Sequence, residues 1–191
     1  MVMALAADFD DAVLGRGLPE AAARALEEAG RWRADDPARA LLALSHAEAC
    51  APGHPAVLIG LYRHHFYAHQ WRAARDVARR ALAAGGVALG LPSLWHQAPD
   101  APLPGARDDV RARFYLFALK GYAYLSLRIG DGSEAAQALA KLRALDPEDF
   151  VGGALVEAVR RRALAGADDD DVAVAPVFGR AAWQRAAELP A

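Results

Sequence analysis

Residues 119–149 read LKGYAYLSLRIGDGSEAAQALAKLRALDPED. Leu119, Tyr122 and Ala123 recur at three- and four-residue spacing, which puts them on one helix face. Gly130-Asp131 stops that helix and Ser133 caps the next, over about 134–145. In that second helix Ala135, Leu139 and Leu142 share a face, and Pro147 follows shortly after. The stretch is therefore a helix pair joined by a tight turn.

The pattern of the second helix occurs twice more. Ala40, Leu44, Ala47 and Pro52 show the same spacing, and so do Ala74, Ala78, Ala81 and Gly86. The step from Ala40 to Ala74 is shorter than the step from Ala74 to Ala135, and a Pro/Gly-rich stretch fills the excess. A small residue early in each second helix lets the first helix approach closely. The later apolar residues pack between pairs, and Pro or Gly stops the helix.

Working outward, the periodicity predicts helices over about 19–33, 37–50, 55–69, 71–84, 106–129, 134–145 and 147–165. Pro19, Pro37 and Pro55 suit first-turn positions, where the missing N–H costs nothing. Residues 85–106 hold four prolines and four glycines and read as a mobile insertion. Leu94-Trp95-His96 within it is expected to act as a lid or a dimer contact. The expected organisation is an N-terminal arm (1–18), a helical domain (19–165) and an acidic linker with a C-terminal tail (166–191). Asp168 to Asp171 followed by an apolar run is open to two readings: a solvated linker, or a segment lying back on an arginine-bearing groove.

Composition agrees. Of 191 residues 48 are alanine and 20 arginine, with two lysines and no threonine or asparagine. Such a chain favours helices and nearly excludes an all-β domain. A net charge of −2 provides no global field for nucleic acid or anionic membrane. One cysteine, Cys50, rules out an internal disulfide. No leader or membrane span is read from the chain, so a cytoplasmic location is expected. Phosphate-loop, dinucleotide-binding and nucleophile-elbow motifs are absent. The expectation is a protein that is not an enzyme and carries no cofactor.

On the residues quoted, the third unit resembles the tetratricopeptide-repeat family. Leu119, Tyr122 and Ala123 match its first-helix packing slots, Gly130-Asp131 its turn, and Ala135 and Pro147 its second helix and stop. The second unit departs at Tyr62, and the first at Arg24, Glu27 and Glu28, where apolar residues are usual. The resemblance implies an all-α solenoid of about three helix pairs plus a capping helix. It implies a concave groove lined by first helices, presenting Ile59, Arg63, Phe66, Tyr67, Phe117, Lys120, Tyr124, Leu127 and Arg128. Of these, Arg63, Phe66, Tyr67, Phe117, Lys120, Tyr124 and Arg128 are the expected partner-binding residues. Aromatics and arginines suit a peptide with acidic groups or a free C-terminus. The alternative is that some of these aromatics lie in the core. The imperfect first unit leaves room for a homodimer.

RFYLFALKGYAYLSLRIGD (113–131) with LIGLYRHHFYAHQW (58–71) is also similar to small tetratricopeptide-like accessory proteins of bacterial nitrogen-fixation gene clusters. That resemblance implies a role in assembly or protection of a metalloenzyme. A competing reading uses metal chemistry. His65 and His69 are four apart and would share a helix face, with Cys50 in the preceding helix. A metal or small-cofactor carrier is the alternative those three residues carry, although ordinary packing is the simpler expectation.

Overall fold

The computed structural model describes residues 17–165, and these form seven α-helices, one 3-10 turn and no strand. The helices are α1 (Glu20–Trp32), α2 (Pro37–Cys50), α3 (Pro55–Tyr67), α4 (Trp71–Leu89), α5 (Val110–Arg128), α6 (Gly132–Leu145) and α7 (Gly153–Leu164). The acidic run 168–171, the remaining tail and the N-terminal arm up to residue 16 lie outside the described residues.

Local chemistry sets the starts. Pro37 and Pro55 open α2 and α3, and Asp36 accepts a hydrogen bond from the Arg39 amide at 2.9 Å. Asp109 and Asp131 cap α5 and α6 through the amides of Arg111 and Glu134. The second helices α2, α4 and α6 begin at Pro37, Trp71 and Gly132, each just ahead of the small residue that opens the sequence pattern. Those residues, Ala40, Ala74 and Ala135, are all buried. Leu44, Ala78 and Leu139, and then Ala47, Ala81 and Leu142, are buried one and two turns on. The repeated spacing is thus realised as repeated burial.

Each helix packs chiefly on its neighbours in sequence, and α7 also rests on α5. α5 is the centre: 13 of its 19 residues are buried, on every side. Phe114, Leu116, Leu119 and Leu125 are fully enclosed, and burial of each contributes about 1.5–3 kcal/mol. In α1 the alanines carry the packing: Ala22, Ala25 and Ala29 face inward. Arg24 pairs with Glu20 at the surface and Glu28 with Arg39 of α2.

Three boundaries differ from expectation by more than two residues, and α3 ends at Tyr67, two residues early. α4 does not stop at Ala84 but runs through Gly85 and Gly86 to Leu89. The two glycines let α5 come close: a Cβ at Gly85 would lie 3.1 Å from the Phe114 ring. The irregular stretch is therefore 90–109 rather than 85–106, and it is pinned. Lys141, buried on α6, donates to the Ala98 carbonyl and pairs with Asp100, and the Leu103 amide donates to the Leu145 carbonyl at 2.8 Å. Trp95, expected as a lid or dimer contact, turns inward and lies 5.9 Å from the Tyr122 ring. Finally, α7 begins at Gly153 and not at Pro147. The Asp146 carboxylate accepts the amides of Phe150 and Val151 and folds residues 147–151 into a turn.

Candidate functional site

Antiparallel packing brings the α3–α4 turn beside the α5–α6 turn. Arg75 of α4 reaches Asp131 at 3.0 Å, and Arg128 stacks over the Trp71 indole at 5.0 Å. The two turns are built alike. The His69 amide donates to the Phe66 carbonyl at 3.1 Å and the Gln70 amide to the His65 carbonyl at 2.9 Å. Gly130 and Asp131 repeat these bonds to Leu127 and Ser126 at 3.0 and 2.8 Å. This is the left-handed helix stop, with His69 at φ 55° and Gly130 at φ 82°.

The structure divides the expected partner-binding residues. Phe66, Phe117 and Tyr124 are buried and belong to the core. Phe66 packs on Tyr62, Trp71 and Tyr124 with ring centroids 5.6–5.9 Å apart, because α3 and α5 meet there. Lys120 faces inward as well. Its ammonium donates to the Val151 carbonyl, 5.7 Å from the Phe117 ring. Burial lowers the Lys120 pKa, opposed by Asp149 and Asp146. Arg63 is half-buried and its Nε is enclosed. Tyr67, 49% exposed, and Arg128 remain at the surface. Ile59 and Leu127 are half-buried.

Around the two exposed members lie residues the sequence reading did not single out. Trp71 is half-buried, with Arg128 over its ring and the His69 ring edge-on at 4.8 Å. Arg72 is exposed next to it. The repeated spacing was the available signal. It places the start of α4 in register with the start of α6, and so near the turn after Arg128.

The structure does not bring the expected metal ligands onto one helix face. α3 ends at Tyr67, so His65 and His69 do not share a helix face. His65 Nδ1 donates to the Gln70 side-chain oxygen at 2.6 Å, whereas His69 packs on Trp71. The Cys50 Sγ lies 3.6 Å from His46 Nε2, one turn back on α2. Among the described residues no three His, Cys, Asp or Glu side chains group as a metal site requires. Nor is any described helix long and apolar enough to cross a membrane.

No protein-family model matches the chain and no solved structure matches it. The chain is similar to a curated protein of Azotobacter chroococcum mcd 1, described as an uncharacterized 19.8 kDa protein in the nifW 5'region. The two are 39% identical over 115 residues, 59% of this chain and 64% of that protein. The similarity therefore ties the chain to a protein encoded in a nitrogen-fixation gene region and spans just under two thirds of that protein's length.

Proposed function

We propose that this chain is a non-enzymatic accessory scaffold of tetratricopeptide-repeat type that holds a partner polypeptide. The observation that carries the reading is the threefold register of α2, α4 and α6. Equivalent small and apolar residues are buried at equivalent depths, which is how helix-pair arrays stack. Such arrays present a continuous surface built from one helix of each pair, and they work by binding. The relative from the nifW 5'region supports an accessory role beside nitrogen fixation, in assembly or protection of a metalloenzyme.

The test is chemical cross-linking of the intact chain in cells that make it, followed by mass spectrometry. The expected result is one dominant partner polypeptide whose cross-links map to the α3 and α5 ends. Arg63→Ala, Tyr67→Ala and Arg128→Ala should weaken capture while leaving the helical signal unchanged. Metal content of the same untagged protein separates this reading from the carrier alternative, and the expected result is no stoichiometric metal. About one metal per chain, lost on substituting His65 and His69, would replace the scaffold reading with the carrier reading.

A further inference from the structure

α7 ends as α3 and α5 end. The Ala165 amide donates to the Arg161 carbonyl at 3.0 Å, as the Ala68 amide does to His64 and the Ile129 amide to Leu125. In the sequence Gly166 then stands where His69 and Gly130 stand, the two residues that make the left-handed stop. Counted back from the last helical residue, Tyr62, Ala123 and Val159 hold one place, and all three are buried. Leu58, Leu119 and Leu155 hold another. Leu58 and Leu119 are enclosed, but Leu155 is 49% exposed. α3 and α5 are each followed by a second helix that packs on them, α4 and α6. Among the described residues α7 has no such helix.

The place for one is open. At its start α7 presses on α6: a Cβ at Gly153 would lie 2.7 Å from Leu142 Cδ2. Beyond that contact the two helices leave a groove of about 480 Å³. Leu139, Leu142, Ala154 and Ala158 line it, and charged residues of both signs rim it. Ala154, Leu155 and Ala158 share a helix face, so the groove adjoins the uncovered leucine. Small residues at such a face let another helix approach closely.

The chain contains a segment that fits. GRAAWQRAAEL (179–189) follows the pattern of GSEAAQALAKL (132–142), the start of α6. Gly179, Ala182, Gln184, Ala187 and Leu189 stand where Gly132, Ala135, Gln137, Ala140 and Leu142 stand. Ala182, Ala186 and Leu189 also keep the spacing of Ala135, Leu139 and Leu142, the residues that α6 buries. The segment lies outside the described residues. Residues 165–178 connect it to α7, a helix of 12 residues and so about 18 Å long. An extended chain of that length reaches well beyond 18 Å, enough to return along the whole of α7.

We infer that the α6–α7 groove is the docking site of the chain's own segment 179–189, which takes the place of a fourth second helix and covers Leu155. The inference rests on the register of the helix pairs and is independent of whether a partner polypeptide is held. Docking closes the apolar end that a stack of helix pairs otherwise leaves open. The short connection favours the chain's own segment over that of a second copy.

The test is hydrogen–deuterium exchange of the full chain read by mass spectrometry, with a synthetic peptide of residues 179–189 as the reference. Amides in that segment should exchange at least about tenfold more slowly in the chain than in the peptide. Ala158→Glu puts a charge into the groove from a half-buried position, and Leu189→Asp leaves the described helices untouched. Each should remove the protection while α1 to α6 exchange as before. Equal exchange in chain and peptide would overturn the inference, as would protection that survives Leu189→Asp. Loss in Leu189→Asp alone would put the segment on another surface and overturn the assignment of the groove. Protection that falls on dilution, together with a dimeric mass, would assign the groove to the segment of a second copy and overturn docking within one chain.

Discussion

His69 is one of two described non-glycine residues, with Asp149, whose backbone is left-handed. At φ 55° it takes the left-handed position that Gly130 takes in the α5–α6 turn. For a residue with a Cβ that conformation costs about 1–2 kcal/mol, which glycine avoids. The edge-on contact with Trp71 returns part of it. His69→Ala keeps the backbone cost and loses the ring, whereas His69→Gly relieves the backbone. The glycine variant should therefore be more stable than the alanine variant by about 1 kcal/mol in urea unfolding. Equal stabilities would mean that the turn relaxes. The sequence already contained the clue, because His69 and Gly130 hold the same place in the repeated spacing. Reading HHFYAH as continuous helix placed His65 and His69 on one face. The hydrogen bonds of the turn decide otherwise.

Among the elements, α4 shows how a glycine pair can extend a helix contact rather than end it. Gly86 aligns with Pro52 and Pro147, both of which follow helix ends, yet it lies inside α4. Glycine lacks proline's missing donor and clash, so it only weakens a helix. A Cβ at Gly86 would sit 2.9 Å from the Pro92 carbonyl oxygen, a backbone atom of the stretch that follows. Gly86→Ala should destabilise the fold by about 1–3 kcal/mol through overpacking. Gly30 in α1 has open space around its missing Cβ. Gly30→Ala should stabilise by up to about 1 kcal/mol through helix propensity. Thermal or urea unfolding of the two variants should move in opposite directions, and a shift of the same sign in both would refute the packing argument. Element starts were legible because caps and prolines act locally. The end of α4 was not, because what permits it is Phe114 and Tyr115 on another helix.

The whole molecule buries phenol groups as part of its core. Burial pushes Tyr115 up to about 12, and burial with the neighbouring Glu134 does the same to Tyr122, whose hydroxyl donates to Glu134. Burial also raises Tyr62 strongly. These groups fold protonated, and their folded pKa values lie above the unfolded value near 10. Their contribution to stability is therefore complete below about pH 10 and is lost as pH rises towards about 12. Tyrosinate absorbance from these residues should appear together with loss of helical circular dichroism in that interval. Full ionisation with a midpoint near 10 and an intact helical signal would contradict the burial.

The sequence by itself determined the class of the described chain, its seven helices and the register in which they recur. Periodicity, caps and proline positions act within a few residues, so one chain displays them without its fold. Tertiary structure alone decided which aromatics are surface and which are core. Phe66, Phe117 and Tyr124 share a helix spacing with exposed neighbours, and only the packing of the helices on one another buries them. It also decided that Trp71 and Arg128 meet, although one opens α4 and the other closes α5. Contacts between residues so distant in the chain depend on how helices stack. No local pattern in the chain encodes that stacking.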